Sequence, residues 1–169
     1  MDATALRALQ APLKDKYREN AGAAVITLKA QGTLDEQHIA CKVETGRALA
    51  VAGLHPATGG SGAELCSGDM LLEALVACAG VTLKAVATAL EIPLRNGTVK
   101  AEGDLDFRGT LGVDKGAPVG FKNIRLAFEI DTDAPQEKVD QLLKLTERYC
   151  VVFQTLSNKP ELSVGVKRA

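Results

Sequence analysis

Four cysteines are the side chains of this sequence with the clearest capacity for chemistry: Cys41, Cys66, Cys78 and Cys150. Thiols serve as nucleophiles, redox partners and metal ligands, so their spacing and surroundings decide among these uses. No two of them have CxxC spacing, and only two histidines accompany them, His38 and His55. A structural zinc site is therefore not expected. A Cys–His pair for acyl transfer or hydrolysis stays open, because it requires only that one histidine reach a thiol in the fold.

Cys78 and Cys150 lie in contrasting local contexts. Cys78 is surrounded by small and apolar residues in LVACAG, and packing alone explains a free cysteine there. Cys150 follows one helical segment and stands at the head of the next, Val151 to Ser157. Unpaired amides at the start of a helix stabilise a thiolate. A reactive thiol and a buried structural thiol are both compatible with the position of Cys150.

The other two cysteines and the second histidine carry weaker signals. Cys66 stands just before the longest apolar helix and could form a disulfide, although packing or incidental reactivity is the favoured interpretation. Cys41 alternates with Ile39 and Val43 on the apolar face of a strand, which indicates a core position. His55, in a Leu-His-Pro loop, could act as a base, but a lone loop histidine more often has no catalytic role.

Composition and charge exclude several classes of function. Lys plus Arg number 20 against 21 Asp plus Glu, so no basic surface is expected for nucleic acid or for an anionic membrane. The N-terminal residues are charged throughout and do not resemble a secretory signal, so we expect a cytoplasmic protein with reduced thiols. The apolar stretch from Met70 to Leu90 contains Glu73, Lys84 and Thr88, which favours a buried helix over a membrane span.

Residue patterns predict a single α+β domain over residues 1–169, with no repeat and no linker. The central helix should begin at Asp69, capped by Ser67 or Asp69. It should carry one polar stripe with Cys78 roughly opposite, and the stripe consists of Asp69, Glu73, Gly80, Lys84 and Thr88. Such a helix must be covered on most sides, in a core or in a dimer interface. Before the central helix we expect an N-terminal helix or arm (1–20) broken at Pro12, strands at 23–32, 39–43 and 47–52, and a glycine-rich connecting loop (58–62). After it we expect strands at 99–108 and 124–131, a second helix that starts at Asp133–Pro135 and ends near Cys150, a short helix (151–157) and a terminal strand (162–166). In the second helix Asp133 is the expected cap, and Val139, Leu142, Leu143 and Tyr149 share one face.

Two segments resemble the cysteine motifs of the OsmC/Ohr family. The run CSGDMLLEALVAC, from Cys66 to Cys78, is similar to the central-helix motif of this family. In that motif an acidic residue opens the helix, and a run of leucine and alanine residues then leads to a cysteine. The spacing from Asp69 to Cys78 resembles the OsmC-like branch. The run RYCVV around Cys150, followed by TLS, looks like the second cysteine motif. Each motif has one departure from the family pattern. In the first, Asp69 stands where a glutamate is usual, and in the second, Val151 stands where many relatives have proline.

The resemblance implies a specific architecture and specific site residues. It implies an α+β intertwined homodimer, with antiparallel sheets wrapped around two long central helices and with active sites at the subunit interface. Cys78 matches the peroxidatic thiol, Cys150 the resolving thiol, and Asp69 the acidic residue that pairs with an arginine. The first strand contains no arginine, so Arg18 is the first candidate and Arg47 the second, although either can be a solvated surface charge.

The function implied is that of a thiol-dependent peroxidase, an antioxidant enzyme of the oxidative stress response. It would reduce organic hydroperoxides through Cys78 and Cys150, with an external dithiol as reductant and with neither cofactor nor metal. The alternative is a non-catalytic OsmC-like protein that binds a small apolar metabolite at the dimer interface and keeps its cysteines only for packing.

Overall fold

The fold combines one antiparallel sheet with a set of packed helices. A computed structural model describes residues 3–34, 41–43, 52–63, 65–166 and 168. The predicted arginine Arg47, the histidine His38 and most of the predicted strand at 47–52 lie outside these ranges. The elements in chain order are α1 (Ala3–Glu19), β1 (Val25–Leu34), β2 (Cys41–Val43), β3 (Ala52–Gly53), β4 (Leu65–Cys66), α2 (Ser67–Ala89), β5 (Asn96–Asp106), α3 (Phe107–Thr110), β6 (Phe121–Asp131), α4 (Gln136–Tyr149) and α5 (Val151–Ser157), with 3-10 turns at Ala21–Ala24 and Pro56–Thr58.

The main sheet has the strand order β2-β1-β5-β6, and all its neighbours are antiparallel. In β5 every second residue from Gly97 to Leu105 is buried, because successive side chains of a strand point to opposite faces. The buried face of β5 packs against α2, which also contacts β1, α4 and α5. The prediction of an α+β fold with an antiparallel sheet is confirmed.

Helix α2 supplies the centre of the core. Leu72, Leu75, Val76 and Leu83 are almost completely buried. Among the described residues, α2 is the helix long and apolar enough to cross a membrane by length and composition. Because it is packed against the sheet, α4 and α5, its apolar character is accounted for by the core.

The opposite side of α2 is apolar as well, yet it is not covered within one chain. An apolar stripe, which we define as Leu71, Ala74, Cys78, Val81 and Ala85, follows the spacing i, i+3, i+7, i+10, i+14 along this side. Leu71 is 37% exposed and Val81 is 38% exposed. Of the predicted polar stripe, only Thr88 is exposed, while Gly80 is buried. The polar stripe therefore borders the core, and the side that faces solvent in a single chain is apolar.

Helix α1 continues through Pro12, so the predicted break there is wrong. A proline inside a helix removes one backbone hydrogen bond and crowds the preceding turn. Contacts on both sides of Pro12 hold the helix in place: the Gln10 side chain donates to the Thr58 carbonyl (3.3 Å) and the buried Tyr17 hydroxyl donates to the Ala57 carbonyl (2.7 Å).

Both predicted helix caps differ from the observed ones. Helix α2 starts at Ser67 with Cys66 as its N-cap, and the Cys66 side chain makes no capping hydrogen bond. Helix α4 has Pro135 as its N-cap, because the carboxylate of Asp133 is paired with the guanidinium of Arg95 instead.

At the other end of α4, Tyr149 is 58% exposed and does not share the packed face of Leu142. The predicted strand at 162–166 is not formed either, and Leu162, Val164 and Val166 are all strongly exposed. No described strand of the same chain pairs with this segment, so its apolar side chains find no core.

Candidate active site

The first part of the site is the junction between α4 and α5. Cys150 adopts an extended backbone conformation (φ −71°, ψ 106°) that ends α4 and begins α5. Its amide donates to the Thr146 carbonyl at 2.9 Å, and its Sγ accepts from the Phe153 amide at 3.5 Å. Cys150 thus caps α5 with its own sulfur, and the side chain is fully buried.

The packing of α2 against α4 and α5 brings Cys78 to Cys150. The two thiols are hydrogen-bonded to each other, and both cysteines are free. Cys78 is half-buried on α2, whereas Cys150 is buried behind it. Two cysteines far apart in sequence therefore form a contact pair of which one member is accessible.

The surroundings of Cys78 favour its thiolate. Burial raises its pKa, but the amides of Val152 and Val151, the Cys150 thiol and the Thr82 side chain donate to its sulfur, and together they lower the pKa below its usual value. Hydrogen bonds to the charged form favour that form. In the described part of the chain, these donors take the place that the sequence assigned to an arginine.

The surroundings of Cys150 have the opposite effect. Burial raises the pKa of Cys150 to about 11, and the neighbouring Cys78 adds to the rise, while the Phe153 amide partly offsets it. Because two interacting thiols titrate as a pair, the first proton to leave comes mainly from Cys78. The pair therefore consists of a thiolate-prone outer cysteine and a protonated inner one.

A cavity of about 360 Å³ lies between α2, α5 and strand β6. We call it the cavity beside the thiols because the helices that carry them form part of its walls, although neither cysteine lines it. Its walls include Leu75, one turn before Cys78, and Phe153, one turn after Cys150, together with Leu156 and strand β6. Lys122 and Asn123 lie at the same cavity. A small molecule with an apolar chain fits such a volume.

Asp69 lies apart from the thiols within one chain. It precedes Cys78 by nine residues on the same helix, which is about 13 Å along the helix axis. Burial raises the pKa of Asp69, and the nearby His55 opposes the rise. The structure therefore brings Asp69 together with His55 rather than with Cys78.

Arg18 lies on the exposed surface of α1 and forms an ion pair with Asp15 at 2.5 Å. The Arg18 side chain is more than half exposed, which agrees with its interpretation as a solvated surface charge. Its assistance to the reactive thiol stays a prediction.

Cys66 and His55 line a second cavity, at the start of α2. The Nδ1 atom of His55 accepts a hydrogen bond from the Ala57 amide (3.0 Å), so the lone pair that a base would use is occupied. In the neutral imidazole the proton is then on Nε2. This tautomer makes His55 a hydrogen-bond donor, and it does not support the hypothesis that His55 is the base of a Cys–His pair.

Sequence reasoning missed the donors around Cys78. Thr82 is four residues after Cys78 on α2 and so lies on the same side of the helix. The four-residue spacing in the sequence was therefore sufficient to identify Thr82 as a neighbour of Cys78. The contribution of the Val151 and Val152 amides could not be found in this way, because it depends on how α5 packs against α2.

Comparison with known proteins agrees with this fold. The sequence profile of the family described as OsmC-like protein matches residues 60–165. The structure is similar to a crystal structure of an OsmC-like hydroperoxide resistance protein from Jannaschia sp. CCS1, with a TM-score of 0.61 and 17% sequence identity. The match covers 86% of this chain and 95% of that one. A search of curated protein sequences finds no match to this chain.

Proposed function

Because the chain belongs to the OsmC-like protein family, we propose that it is a thiol-dependent peroxidase that reduces organic hydroperoxides through Cys78 and Cys150. The observation that carries the proposal is the direct contact between the two thiols, with the accessible one surrounded by donors that favour its thiolate. The similar protein from Jannaschia is described as a hydroperoxide resistance protein, which is consistent with this chemistry.

The reaction uses each thiol once. The Cys78 thiolate attacks the outer oxygen of the hydroperoxide and breaks the O–O bond. Cys78 becomes a sulfenic acid, and the alkoxide leaves as the alcohol after it gains a proton. Cys150 then attacks the sulfur of the sulfenic acid, which forms the Cys78–Cys150 disulfide and releases water. An external dithiol reduces this disulfide by exchange and is itself oxidised.

The pKa directions of the two thiols suit this division of roles. A free cysteine is only a few per cent thiolate at neutral pH, so lowering the pKa of Cys78 increases the reactive form. The raised pKa of Cys150 keeps it protonated while Cys78 carries a charge. Once Cys78 is a neutral sulfenic acid, that charge is gone, and Cys150 ionises more readily when it must attack.

The cavity beside the thiols supports organic hydroperoxides over hydrogen peroxide as substrates. Leu75, Phe153 and Leu156 give it an apolar side that covers an alkyl or aryl group, while Lys122 and Asn123 line another part of it. Burial of apolar surface contributes about 25 cal/mol per Å², so a substrate with a larger apolar group binds more tightly.

A homodimer is part of the proposal, and the apolar stripe of α2 is its central contact. The stripe has the spacing with which helices pack side by side, and its exposed members are apolar. Strand β6, at one side of the described sheet, and the exposed apolar residues at 162–166 are further surfaces for a second copy.

The proposal is tested by peroxide consumption with dithiothreitol as the reductant. Wild type should reduce cumene hydroperoxide faster than hydrogen peroxide, and Cys78→Ser should abolish turnover. Cys150→Ser should leave a sulfenic acid on Cys78 that a dimedone reagent traps. The control Cys41→Ser changes a cysteine of β2 outside the pair and should keep full turnover.

The same assay tests Arg18, because Arg18→Ala should slow the reaction only if this arginine assists the thiolate. Turnover that survives Cys78→Ser would contradict the mechanism. No turnover with any peroxide would contradict the enzymatic function altogether and support the non-catalytic alternative.

A further inference from the structure

The second cavity, at the start of α2, is not used by the proposed peroxidase mechanism. It has a volume of about 390 Å³ and is enclosed by the loop before Pro56, the first turn of α2 and the strand ends near α3. Its apolar walls include Leu71, Leu105, Phe107 and Phe121. The volume falls within the range of small-molecule sites in proteins.

This cavity is separate from the thiol pair of the same chain. Of its lining residues on α2, Leu71 is the nearest to Cys78 in sequence, seven residues before it. Seven residues of α-helix span about 10 Å. The cavity beside the thiols has a different set of walls, with Phe121 as the residue common to both.

The loop that forms one wall is held in a single conformation. The Thr58 hydroxyl donates to the His55 carbonyl (2.9 Å), and the Tyr17 hydroxyl donates to the Ala57 carbonyl. Gly60 is required in this loop, because a Cβ atom there would lie 1.6 Å from the Leu54 carbonyl oxygen. A wall that is already ordered loses little conformational entropy when a ligand binds.

Two polar residues of this loop line the cavity, His55 and Thr58, and the Thr58 hydroxyl already donates to the His55 carbonyl. The His55 ring stacks on Phe107, with 4.9 Å between centroids and 18° between planes. Its Nδ1 is occupied by the Ala57 amide, so Nε2 carries the proton of the neutral ring and remains for a ligand. Burial lowers the pKa of His55 and so favours this neutral form, although Asp69 opposes the shift.

We infer that this cavity binds a small apolar molecule with a neutral carbonyl group, whose oxygen accepts a hydrogen bond from Nε2 of His55. The apolar walls cover the hydrocarbon part, and the fixed imidazole binds the oxygen. A neutral carbonyl is favoured over a carboxylate, because the Asp69 carboxyl, which interacts electrostatically with His55, opposes a second negative charge near the ring.

The experiment measures binding of three matched probes by ligand-observed NMR: acetophenone, benzoate and ethylbenzene. All three have one aromatic ring, and only the first has a neutral carbonyl. Acetophenone should bind to the wild type about two- to tenfold more tightly than ethylbenzene, as expected for one additional hydrogen bond. Benzoate should bind more weakly than acetophenone.

Two substitutions locate the binding. His55→Phe keeps an aromatic ring against Phe107 but has no N–H donor, so acetophenone and ethylbenzene should then bind equally. Val119→Trp places a large side chain at an exposed position of the cavity wall and should abolish binding of both. Its control, Leu156→Trp, fills the cavity beside the thiols instead and should leave binding unchanged.

The binding experiment is independent of peroxidase activity, because it is repeated in Cys78→Ser, which should bind acetophenone like the wild type. Loss of binding in Cys78→Ser or in Leu156→Trp would overturn the inference, since the ligand would then occupy the site of the thiols. An acetophenone preference that persists in His55→Phe, tighter binding of benzoate, or unchanged binding in Val119→Trp would overturn it as well.

Discussion

Replacing Thr82 with valine tests whether hydrogen-bond donors, rather than a nearby cation, activate Cys78. The Thr82 side chain donates to the Cys78 sulfur, and valine has nearly the same shape without the hydroxyl. Loss of one such hydrogen bond costs about 1 kcal/mol, which lowers the thiolate fraction of Cys78 at neutral pH about fivefold. The substitution should leave the fold intact, because the side chain is only partly buried.

The rate of thiol–disulfide exchange changes less than the thiolate fraction does. A thiolate of higher pKa is more nucleophilic, with a Brønsted coefficient of about 0.4–0.5. The fivefold loss of thiolate is thereby reduced to a rate loss of about two- to threefold at neutral pH. At alkaline pH, where Cys78 is fully ionised in both proteins, Thr82→Val should react about twofold faster than the wild type.

The assay follows exchange of Cys78 with a small aromatic disulfide as a function of pH, with acid quenching and peptide mass analysis to separate Cys78 from the other cysteines. Thr88→Val is the matched control, because it makes the same change on α2 at a hydroxyl that donates to the Lys84 carbonyl (2.8 Å). A Thr82→Val profile that coincides with those of the wild type and of the control would refute the role of the hydroxyl.

Three further predictions concern assembly and stability. Val81→Glu places a charge in the apolar stripe and should shift the protein from dimer to monomer in analytical ultracentrifugation. Asp106→Asn should lower the free energy of unfolding at neutral pH by about 1–3 kcal/mol, since the buried carboxylate is paired with Arg108 at 2.6 Å. That pairing lowers the pKa of Asp106 below 3.8, so its stabilisation is present above that pH and is lost as the pH falls through the lowered value. Tyr17→Phe removes the hydroxyl that donates to the Ala57 carbonyl and should cost about 1 kcal/mol in urea denaturation.

Each of these predictions has an outcome that would contradict it. Leu9→Glu, on the exposed surface of α1, is the control for Val81→Glu, and dissociation by both would show only a general effect of charge. A loss of stability in Asp106→Asn that is as large at acid pH as at neutral pH would contradict the ion-pair origin. For Tyr17→Phe, an unchanged urea midpoint would show that the hydroxyl contributes nothing to the loop.

Local patterns were sufficient to predict where the two cysteines lie on their helices. The periodicity of α2 placed Cys78 away from the polar stripe, and the pattern after Cys150 placed this residue at the head of a helix. The strands at β1, β5 and β6 followed from simple alternation. These features depend on neighbours within a few residues, which is the range that periodicity reports.

Features set by distant contacts were not predictable in this way. The electrostatic interaction of Asp69 with His55 depends on how a loop returns to the start of α2. Helix α1 continues through Pro12 because Gln10 and Tyr17 are held by the Pro56–Thr58 turn, far along the chain. The terminal residues from Leu162 to Val166 have a strand pattern, but a strand forms only where another strand is available to pair.

The most direct test of the account is the product of one equivalent of cumene hydroperoxide added to the fully reduced protein. Non-reducing peptide mass mapping should find one new species, in which the peptides of Cys78 and Cys150 are joined by a disulfide, with Cys66 still free. If Cys78 instead stays a sulfenic acid that dimedone traps while Cys150 remains a free thiol, or if Cys78 does not react, the two thiols do not form the redox pair.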